Sequence, residues 1–292
     1  MPRLFIFGIG YTGCAVAAAA RDAGYQVIGT TRSGEGTDEL RRLGVAVVPF
    51  DGTRPSKAVR AALPDCTHVL STVAPDREGP VETCDPVLRH HRDDIDRPHV
   101  TWAGYLSSGQ VYGDHDGAFV TEETPPHAPA KLGARGLAAE SAWRALDGAR
   151  RAHVFRLGGI YGPERNVLKR IKSGDAERVV QPGKWVSRMH VDDVAAVVLA
   201  SMQAPRPGRI YNVADDEPAP RDAPLLFAAE LLGVPPPPPV ELARSKMAAR
   251  SQRDFNANKR LDNSRIKDEL GVRLRYPSYR AGLRAIFDAG AY

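Results

Sequence analysis

The hexapeptide Gly8-Ile-Gly-Tyr-Thr-Gly13 sits between an apolar run, Arg3-Leu-Phe-Ile-Phe7, and an alanine-rich run, Cys14-Ala-Val-Ala-Ala-Ala-Ala20. The first run reads as a strand buried on both faces, and the second as a helix. Between them each glycine has its own task. Gly8 permits the tight turn, Gly10 lets the backbone approach a pyrophosphate, and Gly13 lets the helix pack close to the strand. The helix N-terminus, reached through Tyr11 and Thr12, offers unpaired N–H groups and a positive dipole end to the phosphates. An ordinary tight turn between strand and helix would share this spacing. A secretory signal would not, because glycines interrupt the apolar run and a single Arg precedes it. The flanking strand and helix turn a weak motif into an expectation of dinucleotide binding.

The next segment bears on which dinucleotide. Gly24-Tyr-Gln-Val-Ile-Gly-Thr-Thr-Arg32 is a second strand running into a loop. NAD-preferring sites carry Asp or Glu at the end of this strand to accept from the ribose hydroxyls. Here Thr31 holds that place, followed by Arg32 and Ser33. A carboxylate would repel a 2′-phosphate, whereas a guanidinium can hold it with two hydrogen bonds. The segment therefore favours NADP, with NAD as the alternative and a solvated surface arginine as the plain reading. A third strand, Val45–Phe50, ends at Asp51, an acceptor suited to the adenine amino group. A fourth, His68–Val73, leads through Thr72, Val73 and Ala74, a small-residue loop placed to pass beneath the nicotinamide half.

At 292 residues and 42% apolar content the chain can bury a full core, in one large domain or two. No apolar run approaches a membrane span, so no membrane partner is expected. Cys14, Cys66 and Cys84 are scattered, odd in number and without metal spacing, which fits a reducing cytoplasm and no metal site. The net charge of +5 is spread along the chain, without the basic runs or interleaved aromatics of a nucleic-acid surface. Residues 75–99 are polar and read as a loop and a surface helix. Their histidines, His90, His91 and His99, read as a solvated face. Pro235 to Pro239 reads as a stiff connection.

The middle of the chain carries a wider pattern. It comprises Gly104-Tyr-Leu-Ser-Ser-Gly-Gln-Val-Tyr-Gly113, Phe155-Arg-Leu-Gly-Gly-Ile-Tyr-Gly-Pro163, Arg188-Met-His-Val-Asp-Asp-Val194 and a closing Lys259-Arg-Leu-Asp-Asn-Ser-Arg265. With the glycine loop, these resemble the extended short-chain dehydrogenase/reductase superfamily, and within it the atypical, epimerase-like branch. The resemblance spans Leu4 to about Leu283. It implies that Ser108 is the active-site Ser or Thr that hydrogen-bonds the reacting oxygen. It also implies a Tyr-x-x-x-Lys pair at the start of a helix. Anchored on Glu140, the Tyr slot falls at Leu132 and the Lys slot at Gly136, and neither residue is present.

Three readings of that absence remain open. In one, an enzyme has moved its proton transfer elsewhere, to Tyr112, His190, Lys131 or Arg135. Tyr112 has an alternative as a packing residue and His190 as a helix cap. In another, the chain binds the dinucleotide without turnover, as a redox sensor or regulator. In the third it is a scaffold. For the substrate, Arg165, Asn166, Lys184 and Arg188 are candidates to meet a diphosphate or carboxylate, and Arg156 has an alternative as a buried structural pair. A nucleotide-sugar is the expectation by analogy, and a small carbonyl acid fits equally. The expected architecture is a Rossmann-type, doubly wound parallel α/β sheet of about seven strands with a smaller C-terminal substrate lobe. The core is expected over 1–162 and the lobe over 163–292, with 189–213 returning to the core. A homodimer is compatible with the resemblance.

Overall fold

Strand β1 (Arg3–Phe7) lies near the middle of a seven-stranded sheet in which every neighbour is parallel. The other strands are β2 (Gln26–Thr31), β3 (Ala46–Pro49), β4 (His68–Ser71), β5 (Trp102–Ser108), β6 (His153–Leu157) and β7 (Ile210–Val213). Their spatial order is β7-β6-β5-β4-β1-β2-β3, so the chain winds outward from β1 in both directions. That reversal puts a crevice at the carboxyl ends of β1 and β4, where doubly wound sheets bind ligands. The computed structural model describes residues 1–32, 37–127, 131–147, 151–242, 245 and 257–292.

The alternation of side chains along β1 explains why its residues are all apolar. Leu4 and Ile6 point to one face, where they meet Val16, Ala17 and Ala20 of α1 (Tyr11–Asp22). Phe5 and Phe7 point to the other and join a second core. All four are fully buried, as a central strand covered by helices on both sides requires. Among the described residues the other α-helices are α2 (Thr37–Arg42), α3 (Lys57–Ala62), α4 (Pro86–Ile95), α5 (Lys131–Arg144), α6 (Val167–Lys172), α7 (Val191–Gln203), α8 (Ala223–Leu232), α9 (Ser264–Leu270) and α10 (Tyr279–Asp288). Helix α7 packs beside α1 through Val194, Val197 and Val198, while α4 and α5 cover the opposite face with Val87, Ile95 and Trp143.

A third core, built from Tyr161, Leu168, Ala228, Tyr279, Leu283 and Ile286, holds a smaller unit of α6, α8 and α10 against the carboxyl end of the sheet. Between its segments α7 and β7 return to the main sheet. The polar segment 75–99 departs from expectation at one residue. Helix α4 does begin at Pro86 with Asp85 as its cap, but His91 is buried instead of solvated. Its ring lies 5.1 Å from that of Phe50, Nδ1 meets Asp94 at 2.9 Å, and Nε2 accepts from Ser56 N–H. A helix packed on a sheet needs an inward face even where its sequence is mostly charged, and His91 occupies it.

Candidate active site

Gly8 takes φ = +83°, a conformation that glycine reaches without strain, and turns the chain out of β1. The turn is tied down from two sides. Buried Thr30 accepts from Gly8 N–H at 2.8 Å, and Thr72 Oγ1 donates to Gly8 C=O. Gly13 sits so close to this turn that a Cβ would stand 2.8 Å from Gly8 C=O. Gly10 differs from both. A Cβ there would meet nothing within 4 Å, so the missing side chain leaves an open cradle in front of α1. Gly10 is the cap of that helix, with no side chain closing it and no acidic residue in the first turn. Open N–H groups, a positive dipole end and no competing carboxylate are what a pyrophosphate needs. The residues present therefore fit a dinucleotide.

Tyr11 donates to Pro163 C=O at 2.9 Å and bridges the loop to the turn after β6. Burial pushes its hydroxyl up to about 12, so it stays protonated as a donor. Thr12 lies in the first turn of α1. At the end of β2, Thr31 is half-buried and Arg32 exposed, while Ser33 lies outside the described residues. Asp51 is exposed after β3, and its Oδ1 accepts from Thr53 N–H and Thr53 Oγ1, which hold the carboxyl below its ordinary range. Thr72, Val73 and Ala74 follow β4 directly beside Gly8, with Val73 Cγ2 3.0 Å from where a Gly8 Cβ would be.

A cavity of about 440 Å³ opens from the carboxyl ends of β5 and β6 toward the smaller unit. Ser108 lies on its wall, exposed, with Oγ accepting from Gln110 N–H at 3.2 Å. One acceptance leaves the hydroxyl proton for donation into the cavity. Gly158 on the same wall lets two segments close up, since a Cβ there would stand 2.9 Å from Ser187 C=O. Arg165, Arg221, Lys259 and Trp185 also line the cavity. Arg165 is presented by a turn in which Glu164 adopts φ = +62°, and its guanidinium lies 5.5 Å from the Tyr11 ring centroid.

Several candidates from the sequence hold the fold instead. Tyr112 is fully buried, with its hydroxyl donating to Asn212 Oδ1 at 2.8 Å and Arg156 stacked 4.7 Å over its ring. Burial raises its hydroxyl further above the ordinary range, which opposes proton release. His190 is buried as the cap of α7, its Nδ1 accepting from Asp192 N–H, and burial lowers it to about 4. It is a neutral acceptor in the fold. Asn166 caps α6 through Lys169 N–H and borders a second cavity of about 430 Å³. Arg188 also borders that cavity, and its guanidinium donates to the carbonyls of Val186, Ala219, Pro220 and Arg221. Lys184 lines neither cavity. Arg135 is buried and clamps the loop after β4 by donating to Asp76, Glu78 and Gly79 carbonyls.

The anchor Glu140 proves central. Its carboxylate accepts from Arg156 Nη2 at 2.7 Å and from Ser107 Oγ at 2.6 Å, joining α5, β6 and β5 one residue from Ser108. Arg156 is thus the buried structural pair. Residues 4–214 match the model of the NAD dependent epimerase/dehydratase family. The chain belongs to that family. Within the family's fold, a conserved protein from Silicibacter pomeroyi described as functionally unknown is 41% identical, with a TM-score of 0.89 over 100% of this chain and 99% of its own. Protein YeeZ of Escherichia coli (strain K12) is 27% identical over 290 residues, 95% of this chain and 97% of YeeZ. A human epimerase family protein, solved with NADPH, shares the fold at 15% identity and a TM-score of 0.77, covering 98% of this chain and 99% of that one.

The site contains residues that no motif marked. Thr30 is one position before the strand end where the cofactor signal lies. Lys259 falls in the closing motif, whose chemistry was not legible, and Arg221 lies in no motif. Arg221, just before α8, and Lys259, next to the segment 260–261 that pairs with 119–120, come to the cavity that Ser108 lines only through the fold.

Proposed function

We propose that this protein binds NADP(H), in preference to NAD(H), across Gly8–Gly13 and Arg32, and acts as an oxidoreductase or epimerase on a small polar substrate held beside Ser108. The observation that carries the reading is the open cradle at Gly10, in front of an uncapped and acid-free helix start. The family match and fold relatives solved with NAD or NADPH support a nicotinamide cofactor. Arg32 in place of an acid supports the 2′-phosphate. When bound, the cofactor would supply or accept a hydride. Ser108 would donate its hydroxyl proton to a carbonyl or alcohol oxygen of the substrate, and Tyr11 would keep the turn over the cradle in place.

The burial of Tyr112 and His190, with the absence of Tyr and Lys at 132 and 136, favours a second reading: a dinucleotide-binding redox sensor or regulator without turnover. Fluorescence titration with NADPH and NADH in parallel tests the shared part. Clear preference for NADPH is expected, and failure to bind either would overturn both readings. Transfer of label from C4-labelled NADPH into a metabolite of a cell extract then separates enzyme from sensor.

A further inference from the structure

Ile160 and Arg165, on either side of a tight turn, line both of the cavities at the carboxyl end of the sheet. Tyr11 reaches that turn from the dinucleotide cradle, across 152 positions of sequence. We propose that Tyr11 is a positioning residue that carries occupancy of the cradle to the wall shared by the two cavities, so that a bound dinucleotide sets the substrate side. The proposal rests on the reading of Gly8–Gly13 as a dinucleotide site and adds how that site governs its neighbour.

Tyr11 is tied at both ends. Its backbone opens α1 directly after the Gly10 cap, and the helical ladder begins at Cys14 N–H, which donates to Gly10 C=O at 2.8 Å. The N–H groups of Tyr11, Thr12 and Gly13 precede that ladder and face the cradle. A pyrophosphate that accepts from them fixes the backbone carrying the phenol, a side chain with only two torsions. At the far end the hydroxyl donates to Pro163 C=O at 2.9 Å, and the ring lies 5.5 Å from the Arg165 guanidinium. Gly162 makes room for this approach, since a Cβ there would stand 2.5 Å from the Tyr11 hydroxyl oxygen. The turn itself needs support. Gly162 and Arg165 exchange N–H···O=C bonds of 3.1 Å, and Glu164 between them holds φ = +62°, which a residue with a side chain keeps only under constraint. Asn166 fastens one side, donating from Nδ2 to Gly162 C=O at 3.0 Å while its Oδ1 accepts from Lys169 N–H. Tyr11 fastens the other. With Tyr11 held by the dinucleotide, Arg165 keeps one place against both cavities, and by linkage an ordered turn favours the dinucleotide in return.

The test is hydrogen–deuterium exchange read by mass spectrometry on the full chain, without and with saturating NADPH. Tyr11→Phe keeps the ring and removes the hydrogen bond, whereas Gly162→Ala keeps Tyr11 and pushes its hydroxyl aside. In wild type NADPH should slow exchange about fivefold or more at residues 8–20 and also at 159–170, where the amides of Gly162, Arg165 and Lys169 report the turn. In Tyr11→Phe the protection at 8–20 should persist while that at 159–170 falls below about twofold, and Gly162→Ala should behave alike. A merely structural Tyr11 would raise exchange at 159–170 in both states and leave the NADPH ratio unchanged, which overturns the proposal. So does coupling that survives in Tyr11→Phe, because it then runs through α1 packed on α7. Protection of 8–20 without 159–170 in wild type overturns the proposal and leaves the cofactor reading standing. Protection of neither segment refutes the cofactor reading, and the proposal with it.

Discussion

Replacing Glu140 by Gln tests whether the buried pair with Arg156 organises the wall that carries Ser108. Both side chains are about 4% exposed, and the carboxylate takes Nη2 at 2.7 Å, Nε at 3.1 and 3.2 Å, and Ser107 Oγ at 2.6 Å. A Gln side chain keeps the length and the Ser107 bond but leaves a buried guanidinium without a countercharge. Arg156 Nη1 is already buried and unpartnered, so no spare acceptor is at hand. Breaking such a pair from one side costs about 3–5 kcal/mol, because desolvation of the orphaned charge is no longer offset. Removing both charges should cost far less. In Glu140→Gln/Arg156→Met the methionine can still cover the Tyr112 ring that Arg156 covers now. Urea unfolding of wild type, both single variants and the double variant gives the coupling energy directly. A favourable coupling of at least 2 kcal/mol is expected. A Glu140→Gln loss below 1 kcal/mol, or a double variant whose loss equals the sum of the singles, would refute the account.

Three further outcomes follow from single positions. Gly10 sits at φ −101°, ψ −158°, ordinary for any residue, and a Cβ there meets open space, so Gly10→Val should fold with wild-type stability yet lose NADPH binding; a retained affinity would remove the cradle assignment. Arg32→Ala should weaken NADPH about tenfold or more and leave NADH within about twofold, read by parallel fluorescence titrations, and equal losses would refute the 2′-phosphate contact. His153 is fully buried, its Nδ1 paired with Ala103 C=O and its Nε2 accepting from Arg206 N–H, and burial lowers it to about 4. Because its folded value lies below the unfolded value of about 6.5, its contribution is present above pH 6.5 and lost as pH falls toward 4. About 1.4 kcal/mol of the stability lost between pH 7.5 and 5.5 is owed to His153, so His153→Gln should make that part of the pH–stability curve shallower by this amount. His68 and His190, also lowered to about 4 by burial, keep their share; parallel curves would contradict the account.

What could be read from the sequence was local. The strand–loop–helix at Arg3–Ala20 declares itself because backbone conformation, close packing and phosphate approach each demand glycine within six residues. The sheet strands were legible for a similar reason: continuous apolar runs have one comfortable environment. Glu140 and Ser108 were visible through the resemblance to the family. Side-chain commitment was not. Tyr112 and His190 have the right chemistry in the right segments, but whether a hydroxyl faces a cleft or an Asn212 amide depends on β7, 100 residues further on. Arg221 and Lys259 show the converse, since they reach the cavity that Ser108 lines from segments far apart in sequence.

The missing proton-transfer pair poses the last question, and the packing around Gly136 makes it answerable. A Cβ at Gly136 would stand 3.1 Å from Val111 Cγ1, in the turn of residues 109–112 that follows Ser108. That contact is tight by a few tenths of an ångström, so a side chain at 136 requires Val111 to yield. Against this, replacing a helix-interior Gly by Lys gains up to about 0.7 kcal/mol of helix propensity. The two effects oppose each other at similar size, and Leu132→Tyr/Gly136→Lys should remain within about 1 kcal/mol of wild type in urea unfolding. A loss above 2 kcal/mol would mean that α5 and the turn beside Ser108 are locked together and that the approach of the helix excludes the lysine. If the variant folds and C4-label transfer from NADPH rises, the site has kept the geometry that the pair needs. If it folds, binds NADPH and transfers no more label than wild type, restoring the pair does not restore turnover and the reading of a dinucleotide-binding protein without turnover gains support.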